Sequence, residues 1–216
     1  MAALDEACRL VGAQGRVLPM SNEPLEIEAE VTGLETDEVS RIRGQVAVAS
    51  TPGRVDRITL RNPGRPGREP SACAPAVDAV LDADVVFLGP GSWFTSVLPH
   101  LLVPELHDAL VRTSATKVVI LNLVPQPGET AGFSPERHLD VLFEHAPRLR
   151  VDAVIADRDS VPTPAGLRRA AAELGGRAHL ADIADPDVAG RHDPRALASC
   201  VREALGCEGG EEGTWR

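Results

Sequence analysis

An α/β architecture, with a mostly parallel sheet covered on both faces by helices and a small β-rich insert, follows from three observations. From residue 75 onward short apolar runs alternate with helical patterns, which is how parallel strands buried on both sides read. Before residue 62, several short strand-like runs are bounded by Gly and Pro, the mark of a small antiparallel lobe. The chain has 216 residues, 43% hydrophobic and 25% charged, enough for one sizeable core with an ordinary globular surface. Aromatics are only 3%, with no Tyr, so that core has to be built from Val, Leu, Ile and Ala.

Ala2 to Val11 places Leu4, Ala7, Cys8 and Val11 at helical spacing, and Gly12 and Gly15 close the segment. The chain opens on this helix with no strand before it, which predicts that a leading strand is missing. Strands are expected over Arg16–Met20, Leu25–Val31, Val46–Ser50 and Val55–Leu60. In the second of these Leu25, Ile27 and Ala29 alternate with Glu26, Glu28 and Glu30, so one face is wet. The Pro- and Gly-rich stretch from Asn62 to Ala74 is a connecting loop.

Further along, helices are expected over Pro75–Leu81, Pro104–Thr113, Ser134–His145, Pro164–Leu174 and Pro194–Leu205. The strands between them are Asp84–Leu88, Lys117–Leu121, Val151–Ile155 and Ala178–Ala181. Ser134 and Asp193 stand where N-caps belong. Gly206 ends the last helix. One domain is therefore expected over residues 1–205, with the β-rich insert at about 25–62 and a disordered acidic tail over 206–216.

The formal net charge of −10 argues against nucleic-acid binding, which needs a basic surface to displace counterions. No apolar stretch is long enough for a membrane span, and Met1 to Leu18 does not read as a signal peptide. Cys8, Cys73, Cys200 and Cys207 form no CxxC pair and have no His at zinc-finger spacing, so reduced thiols in a cytoplasmic chain are the simplest account. His138 and His145 share the Ser134–His145 helix with no acid or thiol at metal spacing, and no dedicated metal site is expected.

In a parallel α/β sheet, ligands bind outside the C-terminal strand ends. After Val85-Val86-Phe87-Leu88 come Gly89, Pro90, Gly91, Ser92, Trp93, Phe94, Thr95 and Ser96. Two Gly let the main chain turn sharply and approach a ligand, and the N–H groups at a following helix start can meet an anion. The same residues also suit a plain Gly-rich turn with a helix cap. After the next strand, Asn122, Gln126, Gly128, Glu129 and Thr130 either hold a long Pro-rich loop together or recognise sugar and base groups. After the last strand, Arg191 either clamps a phosphate or pairs with Asp185 or Asp187. No nucleophile elbow or catalytic triad can be read, and catalytic residues stay unassigned.

These loops resemble a known family. The stretch from Asp84 to Val103, DVVFLGPGSWFTSVLPHLLV, resembles the signature strand and loop of the bacterial gluconeogenesis-factor family. Its members are YvcK-type UDP-sugar-binding proteins, relatives of 2-phospho-L-lactate transferase (CofD-like). Asn122 to Thr130, NLVPQPGET, followed by His138, is similar to that family's second signature. Val17-Leu18-Pro19 with Ser21, and Gly190-Arg191-His192-Asp193, match in order. Pro125 stands where Thr is usual, Phe94 where Tyr is more common, and Gly44-Gln45 where the family has Gly-Glu. The family's opening GGGTG-like turn and its DDGGSSG-like and PPGD-like segments do not occur. The chain is accordingly expected to be the C-terminal part of a member, either a fragment or a mis-started reading frame.

The resemblance implies a Rossmann-like three-layer α/β/α fold and binding of a nucleotide sugar such as UDP-N-acetylglucosamine. It also implies a regulatory role in carbon metabolism, cell-wall (peptidoglycan) synthesis and cell shape. The ligand-binding residues it points to are Gly89, Pro90, Gly91, Ser92, Thr95, Ser96, Asn122, Gln126, Gly128, Glu129, Thr130 and Arg191. The alternative is a 2-phospho-L-lactate transferase-like enzyme moving a phospholactyl group from a nucleotide diphosphate to a deazaflavin precursor, with Mg2+. A binding role without a resident cofactor, and self-association into a homo-oligomer, complete the expectations.

Overall fold

The computed structural model describes residues 2–34 and 38–207. They divide into two compact units: 2–34, 38–84, 92–115 and 127–129 belong to the first, and 85–91, 116–126 and 130–207 to the second.

The first unit opens with α1 (Ala2–Leu10). Its sheet is built from β1 (Glu26–Thr32), β2 (Ser40–Arg43) and β3 (Arg54–Arg61), antiparallel in the order β2-β1-β3. The alternation in β1 does what its spacing predicts. Ile27, Ala29 and Val31 are buried, joined by Val55 and Ile58 of β3. Glu26, Glu28 and Glu30 lie on the other face, opposite Arg61, Arg43 and Arg41 of the neighbouring strands. The Arg43 side chain hydrogen-bonds Glu28 and holds its carboxyl below the usual range, with Arg41 and Arg61 adding attraction.

Two expected strands are absent. Residues 16–20 join no ladder among the described residues; the Met20 carbonyl accepts only a single loop bond, from the Cys73 N–H. Val46–Ser50 lies mostly in a helix, α2 (Gln45–Ala49). In a strand Val46 and Val48 would share a face; in a helix two residues are 200° of rotation apart, and Val46 is 82% exposed while Val48 is fully buried. Conversely β2 was not expected, because Ser-Arg-Ile-Arg is short and carries one apolar side chain. The unit is completed by α3 (Ala74–Leu81), a π-helical turn over Trp93–Val97, a 3-10 turn over Leu98–Leu102, and α4 (Pro104–Arg112). Trp93, Phe94, Leu98 and Leu101 are its largest buried side chains outside the sheet.

In the second unit β4 (Val85–Leu88), β5 (Thr116–Ile120), β6 (Ala153–Asp157) and β7 (Arg177–Ala181) form a parallel sheet in chain order, β4-β5-β6-β7. Between and after the strands run α5 (Pro135–His145), α6 (Pro164–Glu173) and α7 (Pro194–Ala204). Val118, Ile120, Ala153 and Ile155 form a cluster that Leu197 and Val201 of α7 cover. Alternation sends Val119 and Val154 to the opposite face, and they are buried too. Burial on both sides explains why the two central strands, β5 and β6, carry apolar runs, whereas Phe87 of the edge strand β4 is exposed. The expected caps are in place: Ser134 Oγ accepts the Arg137 N–H, and Asp193 Oδ1 accepts those of Arg195 and Ala196. From residue 208 the expected acidic tail falls outside the described residues.

Gly128 adopts φ +82, and a Cβ there would lie 2.2 Å from the Ala49 carbonyl oxygen. Gly128→Ala should therefore cost about 3 kcal/mol, a left-handed penalty plus a forced backbone shift, read as a lower urea midpoint. Burial lowers the pKa of His138, against the raising effect of its hydrogen bond to the Ser134 carbonyl. The unfolded chain then binds the proton more readily than the folded one as pH falls through the ordinary histidine value. Stability should be full above about pH 6.5 and decline below it. His138→Gln should make urea midpoints between pH 5 and 8 less dependent on pH.

Candidate functional site

The four parallel strands of the second unit end on one edge, and four loops leave it: Gly89–Gly91 after β4, Asn122–Gln126 after β5, Arg158–Val161 after β6 and Asp182–Asp193 after β7. The β4 exit is a bend with a cis Gly89–Pro90 bond, with φ +83 at Gly89 and +151 at Gly91. Gly89 and Gly91 are half-buried and Pro90 is exposed. Asn122 grips this bend from the neighbouring strand end. Its Oδ1 accepts the Gly91 N–H at 2.9 Å and its Nδ2 donates to the Gly91 carbonyl at 2.8 Å. The same Nδ2 donates to Gln126 Oε1 at 3.4 Å. Gln126 is held in turn by Thr130, which is fully buried: its Oγ1 accepts the Gln126 N–H, and its own N–H donates to the Gln126 carbonyl.

Ser92, Thr95, Ser96, Gly128 and Glu129 belong to the first unit. Glu129 is buried there, its carboxylate accepting the Phe94 N–H at 3.0 Å and the Thr95 hydroxyl. Thr95 is buried as well, and its carbonyl accepts Gln45 Nε2 at 3.3 Å. The Ser92 carbonyl receives the N–H groups of Ser96 and Val97 in the π-helical turn. Ser96 is exposed.

Arg191 sits on a small hairpin after β7, closed by the bridge between Ala184 and His192 and by the Asp193 N–H to the Ile183 carbonyl. Its guanidinium pairs with Asp185, Nε to Oδ2 at 2.8 Å, and remains 60% exposed. The Arg191 hydrogen bond, followed by the N–H of Asp187, keeps the Asp185 carboxyl below its ordinary range. His192 next to it hydrogen-bonds main chain at Leu121, while its buried Nε2 has no partner among the described residues; burial outweighs that bond and lowers its pKa.

One further residue of this edge, at the β6 exit, is not among the residues expected from sequence. Asp157, the last residue of β6, is 5% exposed. Its Oδ1 accepts the N–H groups of Ile183 and Ala184 at 3.0 and 3.1 Å, and its Oδ2 those of Asp159 and Ser160 at 3.1 and 3.2 Å. Ser160 Oγ donates to the Leu123 carbonyl at 2.7 Å. The signal was available: a polar residue at the end of an apolar strand, the same rule that singled out the loops after β4, β5 and β7.

Among the described residues no three His, Cys, Asp or Glu side chains group as a cation site. A cavity of about 260 Å³ is lined by Arg137, Asp140, Phe143, Glu144 and Glu173 together with Leu139, Ala170 and Leu174, all on α5, α6 or the residue after it, and none on a strand-end loop. No described helix is long and apolar enough to cross a membrane.

A family model described as 2-phospho-L-lactate transferase CofD matches residues 1–189. Over 206 residues the chain is 52% identical to a Mycobacterium tuberculosis protein provisionally named a gluconeogenesis factor, covering 93% of this chain and 58% of that one. A Deinococcus radiodurans protein of the same name is 31% identical over 216 residues, covering 93% and 44%. The crystal structure of a UPF0052-family protein from Bacillus halodurans superposes with a TM-score of 0.74 at 26% identity, over 93% of this chain and 65% of that one. The chain thus spans less than two-thirds of the length of these relatives. The residues matched by the family model take in the two signature loops and stop just before Gly190, and the chain belongs to the CofD-like gluconeogenesis-factor family.

Proposed function

We propose that the chain is the binding portion of a cytoplasmic regulatory protein that senses a nucleotide sugar, UDP-N-acetylglucosamine or a close analogue, in carbon metabolism, cell-wall synthesis and cell shape. The observation that carries this reading is the Asn122 clamp. It fixes a two-glycine bend at a parallel strand exit while leaving the bend partly open to solvent. With the Gly91 N–H held by Asn122 and no N–H on Pro90, the bend supplies close approach of the main chain, and the charge match falls to Arg191. It stands at the edge where ligands of open α/β sheets bind. Arg191, exposed on the β7 hairpin, supplies the positive charge a diphosphate calls for, once it shifts from Asp185. The name shared by the relatives supports the metabolic side of the proposal.

The description of the matching family model favours a second reading, a transferase moving a phospholactyl group from a nucleotide diphosphate to a deazaflavin precursor with Mg2+. The two readings part on turnover: the regulatory protein binds the nucleotide sugar and leaves it intact.

Titration calorimetry should show UDP-N-acetylglucosamine binding more tightly than UDP or N-acetylglucosamine alone. Gly91→Val, forced into a left-handed backbone position, should weaken it by at least about tenfold, and Arg191→Ala by several-fold. Equal affinity in both variants and the wild type would reject the assignment. Release of a phospholactyl product, assayed with Mg2+ and a deazaflavin acceptor, would decide for the transferase.

A further inference from the structure

We infer that Asp157 is the positioning residue of the strand-end site: a buried carboxylate that sets the loops a ligand would meet without touching the ligand itself. The inference rests on the nucleotide-sugar reading for its function and on hydrogen-bond geometry for its mechanism. A carboxylate that is 5% exposed is costly unless its oxygens are fully engaged. Asp157 meets that condition with main-chain N–H groups from two strand exits. Asp159 and Ser160 belong to its own loop, and Ile183 and Ala184 begin the hairpin that carries Arg191.

Ser160 extends the connection. Its hydroxyl has one proton to give, and the Leu123 carbonyl at 2.7 Å is nearer than Asp157 Oδ2 at 3.3 Å. Leu123 directly follows Asn122, which grips Gly91. One continuous series therefore runs from Ile183 and Ala184 through Asp157, Ser160 and Leu123 to Asn122 and Gly91, and it crosses the exits of all four strands. Truncating Asp157 strands four N–H groups at once, Ile183 among them fully buried, and frees the two ends of the series from each other. Asp157→Asn keeps one acceptor oxygen for Ile183 and Ala184 and should recover much of the effect.

The test compares Asp157→Ala, Asp157→Asn and Ser160→Ala with Leu167→Ala, which loses a fully buried α6 side chain outside this series. Each is titrated with UDP-N-acetylglucosamine at a temperature where circular dichroism shows it folded. Affinity should fall about 30-fold in Asp157→Ala and about fivefold in Asp157→Asn and in Ser160→Ala, and stay unchanged in Leu167→Ala. A folded Asp157→Ala variant with wild-type affinity would overturn the inference. So would Ser160→Ala with wild-type affinity, should Asp157→Ala not fold. Hydrogen exchange provides a readout without ligand. Amides of the β5 exit loop and of residues 183–192 should exchange faster in Asp157→Ala or Ser160→Ala and not in Leu167→Ala. Unchanged exchange would reject the positioning role even if the wild type bound no nucleotide sugar, whereas faster exchange without any wild-type binding would reject only the nucleotide-sugar reading.

Discussion

Parallel strands that stop on a common edge leave main-chain N–H groups without ladder partners, and those that are buried need another acceptor. The second unit answers with short polar side chains placed at the strand ends. Asn122 follows β5 and satisfies both polar groups of Gly91 after β4. Asp157 ends β6 and satisfies two N–H groups of its own turn and two after β7. Position dictates chemistry here. The residue bridging to a neighbouring peptide that offers both a donor and an acceptor is an amide, and the residue meeting donors alone is a carboxylate.

The first unit solves a related problem with the same means. A π-helical turn over Trp93–Val97 places large apolar side chains inside, and its early N–H groups lie beyond the reach of any strand ladder. Glu129, buried, takes the Phe94 N–H and the Thr95 hydroxyl. Glu129 is held by one main-chain N–H and one hydroxyl, and Asp157 by four main-chain N–H groups. The surface ion pairs of β1 and its neighbours are different. Arg41, with 67% of its side chain exposed, and Glu30, 41% exposed, form a pair that salt can screen and that adds little to stability.

The central strands of the second unit were legible because two-sided burial writes continuous apolar runs, and helices α5 and α7 because Ser134 and Asp193 mark their starts by a local rule. In the β-rich part, Val46 and Val48 fit a strand or a short helix equally well over five residues. Gly44, at φ +91, turned the choice toward helix, and a left-handed glycine leaves no trace in hydrophobic periodicity. The strand over Ser40–Arg43 escaped for the opposite reason: it is held by pairing with β1, and its charged side chains carry no apolar signal. The polar loop residues were visible as candidates, but their partners were not. Asn122 to Gly91 and Asp157 to Ile183 link residues 31 and 26 positions apart, and no local rule connects such pairs.

That distinction matters for how recognition would work under the nucleotide-sugar proposal. Among the second-unit candidates, Asn122 directs both amide atoms at Gly91, and Thr130 supports Gln126 from a fully buried position. Their side-chain polar atoms are committed to holding main chain in place. What the strand edge offers outward is the bend itself, Gly89 to Gly91, and the exposed fork of Arg191. Pro90 has no N–H and that of Gly91 is taken by Asn122, so a closely approachable bend and one guanidinium are what is left to meet a phosphate group. They are poor at telling one sugar from another, which takes several hydroxyl-matched side chains. Affinity at this edge would therefore come from the phosphates, and the choice of sugar has to be made by groups other than those that grip the bend.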